Sequence, residues 1–497
     1  MVATNIPPTD GLQILDTVIK INPWFNTGKV PTSKLEEFKR REFDSLQRTL
    51  GSTEMATLVI GGRRVGKSVL MYQLIDGLLK SGVRPDKVLF VQGDNPILNE
   101  FAQTGRILRV IFDIYQKYII KRGFEQEEET VYVFIDEAQN IKDWQLEVKS
   151  IIDMKYKVKF VITGSSSREL RQGAQNPMTG RMVIQVISPF SFFDFVRYRL
   201  NQRHVEFDEN ERVLLGQFNR YLFIGDVKAL LPVIPQINKI VMKYNVSDLL
   251  SEYLFVGGFP WVLSQSKQDD ITKYLRDLLT ATISKDIMTQ VEIRDTQAFE
   301  RLMVNMCLLI SSEVKYKTLS DVLALDERSV ARYIDYYVDT HWAFVSSPYT
   351  FHRRTDSVGT EKKIYVIDNG IINALAFKDS ADLITDKQHR SRVLENTIHN
   401  HLLNYKMEIT GAFQNSISFW KEPDTDKEID FILDIKGGVL PIEVKCRPTI
   451  DSEEIEAVQK FLKEKASSKF GIITTETETN FRDGILFIPY TSLLLAL

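Results

Sequence analysis

A glycine-rich loop near the start of the chain carries the residues best suited to bind a nucleotide. Gly61 to Ser68 reads GGRRVGKS and fits the pattern G-x-x-x-x-G-K-[ST] at every required position. In this pattern backbone N–H groups surround phosphate oxygens, and the N-terminus of the next helix adds positive potential. Lys67 is expected to reach the β- and γ-phosphates of ATP, and the Ser68 hydroxyl to be a Mg²⁺ ligand. The predicted nucleotide-binding residues here are Gly61, Gly62, Arg63, Arg64, Val65, Gly66, Lys67, Ser68 and Val69.

Two carboxylates follow an apolar segment farther along the chain. Val131 to Asn140 reads VYVFIDEAQN, and its apolar residues predict a strand buried on both faces, as in a parallel sheet. The strand ends at Asp136 and Glu137, and such sheets bind ligands at the carboxyl ends of their strands. Asp136 is therefore predicted to hold a Mg²⁺-bound water, and Glu137 to polarise the water that attacks the γ-phosphate.

Polar residues also end the next predicted strand, which reads VKFVIT and continues into GSSS. Either Thr163 or Ser165 is placed to hydrogen-bond the attacking water or the γ-phosphate. The alternative is a serine-rich turn in which Ser167 caps the following helix. Farther on, Arg181 is a candidate contact for the γ-phosphate in its own subunit or in a neighbour's, or else a partner in a structural ion pair.

The elements that must position these residues alternate between strands and helices. This alternation predicts an α/β fold built on a parallel sheet. The helix after the loop runs from Val69 to Lys80 by its apolar spacing. Before the loop, the aromatic cluster at Trp24 either packs near the adenine or anchors the leader to the core. Further strands are predicted at 57–60, 87–92, 158–163 and 182–186.

Composition bounds the class of protein. A length of 497 residues predicts three or more domains at roughly 150 residues each. The net charge of −3 excludes a global basic field, so any nucleic-acid site must be a local patch. Cys307 and Cys446 lie far apart, which indicates a reducing compartment and no cysteine-based zinc site. Without a signal peptide or an apolar run of about 20 residues, we expect a cytoplasmic protein that does not enter a membrane.

A second constellation lies near the C-terminus. Glu395 falls on a predicted helix, and two predicted strands carry Asp430 and the triplet Glu443-Val444-Lys445. A strand repeat of two places Glu443 and Lys445 on one face. The pattern therefore brings two or three carboxylates and a lysine together. The alternative is a charged hairpin at the edge of a sheet.

Several of these segments together carry a family resemblance. GGRRVGKS, FIDEAQ, ITGSSS, the Gly-Arg pair before ISPFSFFDF, and YLFVGGFPWVL resemble the AAA-type ATPase superfamily. More narrowly, they resemble archaeal and bacterial ATPases whose C-terminal half is a nuclease-like module of unknown function. The resemblance implies a sheet with strand order 5-1-4-3-2. It also implies that the turn at Gly257–Pro260 belongs to a helical lid against the nucleotide.

Two further segments resemble other known folds. The segment from Thr296 to Asp368 resembles a winged helix, with Arg328 and Arg332 one turn apart and placed to meet DNA; the alternative is a winged helix used for packing or protein contact. The C-terminal constellation resembles the PD-(D/E)XK endonuclease-like fold, although its first acidic motif lacks Pro-Asp. That resemblance implies that Glu395, Asp430 and Glu443 hold Mg²⁺ or Mn²⁺, that Lys445 polarises the attacking water, and that Gln459 supports the site. The alternative is a nuclease-like fold that is kept only for binding.

The sequence thus predicts an ATP hydrolase that acts on DNA and could form homo-oligomers. In the first hypothesis ATP turnover gates a metal-dependent nuclease. In the second, ATP binding switches the recruitment of DNA or a protein without cleavage, and the third is a translocating motor. The predicted domains are a leader (1–50), an ATPase core (51–190), a helical lid (191–290), a winged helix (291–368) and a nuclease-like domain (369–497); residues 201–243 receive no role.

Overall fold

The chain divides into two compact units, Met1–Ile187 and Ser188–Leu497, in the computed structural model. No helix in the described part of the chain is long and apolar enough to cross a membrane. Strands and helices occur in both units, which confirms the α/β class. The structure describes residues 8–52, 55–102, 106–164, 178–288, 291–349, 361–410, 417–422, 425, 427–436, 438–448, 450, 452–465 and 467–497.

The first unit is built on a five-stranded sheet whose paired strands are all parallel. The strand order is β2-β3-β4-β1-β5, which confirms the 5-1-4-3-2 order that the resemblance implied. Its central strands are buried because their apolar, largely β-branched residues need cover on both faces. The strands are β1 (Ala56–Ile60), β2 (Val88–Gln92), β3 (Val131–Asp136), β4 (Val158–Gly164) and β5 (Met182–Val186). The helices are α1 (Pro8–Ile21), α2 (Trp24–Thr27), α3 (Glu42–Ser52), α4 (Lys67–Lys80), α5 (Pro96–Ala102), α6 (Ile107–Ile114) and α7 (Trp144–Asp153).

The N-terminal leader is fastened to the edge strand β2. The Asn22 side chain donates to Phe90 O at 2.9 Å and accepts from Phe90 N at 2.6 Å, so one amide satisfies both groups of an edge residue. The buried Trp24 indole donates to Val88 O at 2.8 Å. Val88 begins β2. Trp24 therefore anchors the leader to the amino end of β2, whereas the nucleotide loop follows the carboxyl end of the parallel strand β1.

The second unit contains a three-stranded antiparallel sheet, β6-β8-β7, and a six-stranded mixed sheet, β13-β14-β12-β11-β10-β9. The strands are β6 (Glu313–Val314), β7 (Ala343–Ser346), β8 (Lys362–Val366), β9 (Ser418–Lys421), β10 (Glu428–Ile435), β11 (Gly438–Glu443), β12 (Gly471–Thr475), β13 (Asn480–Arg482) and β14 (Ile485–Pro489). The helices are α8 (Phe192–Asn201), α9 (Glu209–Ile224), α10 (Val227–Leu230), α11 (Ile234–Lys243), α12 (Val246–Val256), α13 (Gln268–Thr282), α14 (Thr296–Leu308), α15 (Tyr316–Leu323), α16 (Glu327–Asp339), α17 (Asn369–Leu375), α18 (Asp382–Thr385), α19 (Lys387–Thr410), α20 (Ser452–Glu464) and α21 (Tyr490–Ala496).

The helices predicted to be a lid belong to this second unit. Helices α8, α9, α11 and α12 pack against the C-terminal helix α21. The turn after α12 is held there too, because Gly258 N donates to Asp368 Oδ2 at 2.7 Å and Gly258 O accepts from Phe190 N at 2.8 Å. A Cβ atom on Gly258 would lie 2.2 Å from Phe190 O, so this close approach requires glycine. The structure thus groups these helices with the C-terminal half of the second unit, and their role as a lid on the nucleotide stays a prediction.

The segment 201–243, which received no role from its sequence, supports the C-terminal half of the second unit. It forms helices α9 to α11. The Asn238 side chain donates to Thr479 Oγ1 at 2.9 Å and accepts from Ser492 Oγ at 2.6 Å. Lys436 N, beside the hairpin of β10 and β11, donates to Phe223 O at 2.9 Å. These contacts indicate that helices α9 to α11 serve as structural support for the C-terminal half of the second unit.

Candidate functional site

The phosphate loop connects β1 to α4 and is held in a curled conformation. A Cβ atom on Gly61 would lie 2.0 Å from Ile187 O, so only glycine fits there. Gly66 has φ of 102°, a left-handed conformation that glycine adopts without strain. The Lys67 ammonium donates to the carbonyls of Gly61 at 2.9 Å and Gly62 at 3.0 Å, and the residue is only 5% exposed. The loop therefore closes around its own lysine, as a cradle for phosphate requires.

A chain of hydrogen bonds joins the predicted magnesium ligands to the predicted base. Ser68 Oγ donates to Asp136 Oδ2 at 2.7 Å, and Thr163 Oγ1 donates to Asp136 Oδ1 at 2.5 Å. Thr163 Oγ1 in turn accepts from Glu137 N at 2.9 Å. The structure thus brings these four residues together at the carboxyl ends of β3 and β4. Gln139, which sequence reasoning passed over, donates to Glu137 Oε2 at 2.5 Å.

The backbone at Glu137 is unusual, and a glycine on the neighbouring strand makes room for it. Glu137 has φ of 51°, a left-handed conformation that is uncommon for residues other than glycine and that clusters at functional sites. Gly93 N donates to Asp136 O at 2.8 Å, and a Cβ atom on Gly93 would lie 2.4 Å from Glu137 O. Gly93 is therefore a supporting residue, and its only signal in the sequence was a glycine directly after a predicted strand. Ser165 lies outside the described residues.

A buried arginine in the leader, Arg40, donates a hydrogen bond to the backbone of the phosphate loop. Arg40 Nη1 donates to Val65 O at 2.9 Å, and its Nε and Nη2 donate to the two Glu42 carboxylate oxygens at 2.8 and 3.1 Å. Burial by itself would raise the pKa of Glu42, but the Arg40 guanidinium outweighs it and lowers that pKa. In the sequence Arg40 is one charge among several, followed directly by Arg41 and Glu42. Nothing in its local sequence indicated a partner 25 residues away.

We expect Arg40→Ala to destabilise the first unit and to loosen its phosphate loop. The change leaves Glu42 buried without its partner and Val65 O without its donor, which typically costs about 3 kcal/mol. Chemical denaturation gives the loss of stability, and titration with ATP gives the weaker binding. The matched control is Arg48→Ala, an exposed arginine on α3. Equal stability of the two variants would contradict the supporting role.

Arg181 does not lie near the phosphate loop of its own chain. Its carbonyl accepts from Ala56 N at 2.9 Å, at the amino ends of the parallel strands β1 and β5. The loop follows the opposite end of β1, roughly 17 Å away at about 3.3 Å per residue. The guanidinium instead pairs with Asp153, with Nε 2.5 Å from Oδ1. The prediction of a γ-phosphate contact within the same subunit is therefore wrong, and contact with a neighbour's phosphate stays a prediction.

In the second unit the predicted carboxylates and lysine do converge, but with a further lysine among them. Asp430 N donates to Glu443 Oε2 at 3.2 Å, and Lys445 Nζ lies 2.7 Å from Glu443 Oε1. The ammonium of Lys363, from β8, lies 3.0 Å from Asp430 Oδ1 and 3.4 Å from Glu395 Oε1. Sequence reasoning missed Lys363 because it precedes Glu395 by 32 residues and belongs to another predicted domain. Gln459 lies on α20, half-buried.

A lysine ammonium lies between the carboxylates that were predicted to hold a divalent metal. Burial, and after it the nearby Asp430, raise the pKa of Glu395 to about 8. Burial would lower the pKa of Lys363, but Asp430 and Glu395 outweigh it and keep the ammonium charged. Across the described ranges no group of three or more histidine, cysteine, aspartate or glutamate side chains is arranged to hold a metal. The metal assignment of Glu395, Asp430 and Glu443 therefore does not fit this arrangement.

The neighbouring histidines are structural. His399 stacks on Tyr365 with ring centres 3.8 Å apart, and burial lowers its pKa to about 4. His401 accepts from Phe192 N at 2.7 Å, and its other ring nitrogen lies 2.8 Å from Thr397 O. His399 is thus occupied in ring stacking and in a hydrogen bond to the Asn400 side chain, and His401 in hydrogen bonds to the backbone.

Three family models match successive parts of the chain. Residues 53–196 match the family model of an AAA domain. Residues 247–382 and 390–493 match two domains of unknown function, DUF8612 and DUF4143. The chain is 21% identical to the uncharacterized protein MJ1544 of Methanocaldococcus jannaschii, covering 82% of this chain and 78% of the relative. It is 22% identical to an uncharacterized protein of Haemophilus influenzae, covering 79% and 82%.

Solved structures resemble the chain only weakly. The Aeropyrum pernix ORC1 protein in complex with DNA is 12% identical, with a TM-score of 0.31, over 73% of this chain and 97% of that one. AMPPCP-bound DnaA from Aquifex aeolicus is 12% identical, with a TM-score of 0.25, over 59% and 85%. Likenesses this low establish nothing about ligands. The part of the chain that matches the AAA domain model, residues 53–196, contains the parallel sheet and the phosphate loop.

Proposed function

We propose that this protein binds and hydrolyses ATP with Mg²⁺, and that the bound nucleotide regulates the recruitment of DNA or a protein partner without cleavage. The observation that carries the ATPase part is the hydrogen-bond chain from Ser68 through Asp136 and Thr163 to Glu137. It links the two groups that would hold Mg²⁺ to the backbone of Glu137, whose carboxylate would act on water. The phosphate loop, which curls around the Lys67 ammonium, has a shape that suits a bound phosphate.

Each residue of this site has a defined task in hydrolysis. Mg²⁺, when bound by Ser68 and through water by Asp136, would neutralise charge on the phosphates. Lys67 would exchange its two loop carbonyls for phosphate oxygens. Glu137 would orient the attacking water and accept its proton. Thr163 holds the backbone of Glu137, and Gln139 holds its carboxylate, so the base is positioned before substrate arrives.

The proposal of a switch without cleavage is favoured over a gated nuclease by the cluster in the second unit. A metal-dependent phosphodiesterase needs a divalent ion among Asp430, Glu443 and Glu395. An ammonium already lies among these carboxylates. The test is purified protein with single- and double-stranded DNA, Mg²⁺ or Mn²⁺, and ATP or ADP. Phosphate release with ATP-dependent retention of DNA or a partner, and with intact DNA, supports the switch; cutting of DNA by the parent protein contradicts it.

For DNA, we propose helix α16 as the contact. Arg328 and Arg332 are exposed one turn apart on this helix, with exposed Asp335 on the same face. Two arginines among carboxylates suit contacts to phosphates at the edge of a groove better than deep insertion. If the protein assembles into homo-oligomers, Arg181 is the proposed contact for a neighbour's nucleotide.

We expect Arg328→Ala combined with Arg332→Ala to weaken DNA binding by roughly 10-fold at physiological salt. Removing one phosphate interaction also lowers the salt slope of log K by about 1, so the slope should fall by about 2 when both arginines are replaced. Fluorescence anisotropy with labelled duplex at several salt concentrations measures both. Arg212→Ala, which removes an exposed arginine on α9, is the matched control. An unchanged slope would remove α16 from the DNA interface, and a protein partner would then be sought.

A further inference from the structure

Lys363 is the most deeply buried charge in the acidic cluster of the second unit. Its side chain is 1% exposed, and its ammonium lies 3.0 Å from Asp430, 3.3 Å from Glu428 and 3.4 Å from Glu395. It comes from β8 of the three-stranded sheet, whereas all three carboxylates come from the segment that follows. A lysine buried this fully is rare unless it is paired. Here three oxygens surround it.

The oxygens of the cluster already have partners. Asp430 presents one oxygen to Lys363, and its other oxygen accepts from Val444 N at 2.9 Å. Glu443 accepts from Asp430 N with one oxygen and pairs with Lys445 through the other. Glu395 accepts from the Tyr365 hydroxyl at 2.9 Å. Two ammonium groups thus lie against Asp430 and Glu443, and the Lys363 ammonium occupies the point where Asp430 and Glu395 would have to hold a divalent ion.

We propose that Lys363 takes the place of the divalent cation in this cluster, so that the second unit binds no Mg²⁺ or Mn²⁺ there. The lysine neutralises Asp430 as a metal ion would. It also fills the volume between the carboxylates. Because the cation is a side chain, it cannot activate a water molecule as a bound metal does. The inference shares the non-cleaving part of the proposed function, but it is independent of ATP hydrolysis, because metal binding is measured without nucleotide.

The experiment compares the full chain with its variants in nucleotide-free buffer, by thermal unfolding and by the electron paramagnetic resonance signal of free Mn²⁺. For the parent we expect no Mn²⁺ binding that depends on Asp430. Lys363→Ala should lower Tm by roughly 5 °C or more, because the buried carboxylates lose their counter-charge. Mn²⁺ should restore that loss by filling the space. The restoration should disappear when Asp430→Asn is added to Lys363→Ala.

The matched control is Lys362→Ala, the adjacent residue on β8, whose ammonium donates instead to Ser347 Oγ at 2.9 Å. Mn²⁺ should not raise its Tm. Lys363→Gln, which keeps a donor for Asp430 and loses only the charge, serves if Lys363→Ala does not fold. Mn²⁺ binding by the parent that is lost in Asp430→Asn would overturn the proposal. Folded Lys363 variants that Mn²⁺ does not stabilise would overturn it as well. A failure of ATP hydrolysis would leave these readings unaffected.

Discussion

Glu137→Gln is expected to bind ATP as tightly as the parent and to hydrolyse it roughly 10²–10⁴-fold more slowly, the usual contribution of a general base. Glutamine has the same shape and can still accept the hydrogen bond from Gln139, so the geometry of the site is preserved. Only the capacity to take a proton from water is removed. Phosphate release under saturating ATP measures turnover, and binding of a fluorescent ATP analogue measures affinity.

The control for this change is Glu128→Gln, an exposed glutamate in the acidic loop before β3. It alters net charge equally and should leave turnover unchanged. If Glu137→Gln turned over ATP at the parent rate, Glu137 would have no part in the chemistry. A loss of binding together with turnover would instead assign Glu137 a structural role, which its left-handed backbone and its bond to Thr163 would then explain.

Lys67→Ala is expected to abolish tight ATP binding. Within the loop this ammonium is placed for the β- and γ-phosphates, and removal of one partner from a buried charge pair costs about 2–5 kcal/mol. The dissociation constant should therefore rise by roughly 30- to 3000-fold. Isothermal titration with ATP and Mg²⁺ measures the change. Since phosphate release at low ATP depends on binding, turnover should fall with it.

The matched control for Lys67→Ala lies at the other end of the same helix. Lys80 has a side chain that is 76% exposed and pairs with Asp76 across one turn of α4. Lys80→Ala removes an equal charge from the helix and should leave the affinity for ATP as it is. Parent-like ATP binding by Lys67→Ala would mean that the loop from Gly61 to Ser68 is a structural turn and that the ATPase proposal is wrong.

The phosphate loop and the strand that ends at Asp136 were predictable from the sequence, because each depends on residues that are neighbours in the chain. A loop that surrounds phosphate needs glycines at fixed spacing, and the lysine and serine must follow within two residues. A strand buried on both faces must be apolar along its whole length, so VYVFID marks the centre of a sheet and places Asp136 at its end. The strand order followed from the family resemblance, and the observed order β2-β3-β4-β1-β5 agrees with it.

What only the tertiary structure decided was the pairing of charges that lie far apart in the chain. Asp430 and Glu443 have the spacing of metal ligands, and sequence alone could not show that Lys363, 67 residues before Asp430, would lie against them. The hydrogen bond from Arg40 to Val65 O and the close approach of Gly93 to Glu137 O were likewise decided only by the tertiary structure. A charged side chain that stays exposed to water has a low free-energy cost at any position. A buried charge is stable only when the fold brings an opposite charge against it. Tertiary packing determines which partner that is. In this protein it places Lys363 among the carboxylates that had been predicted to bind a metal ion.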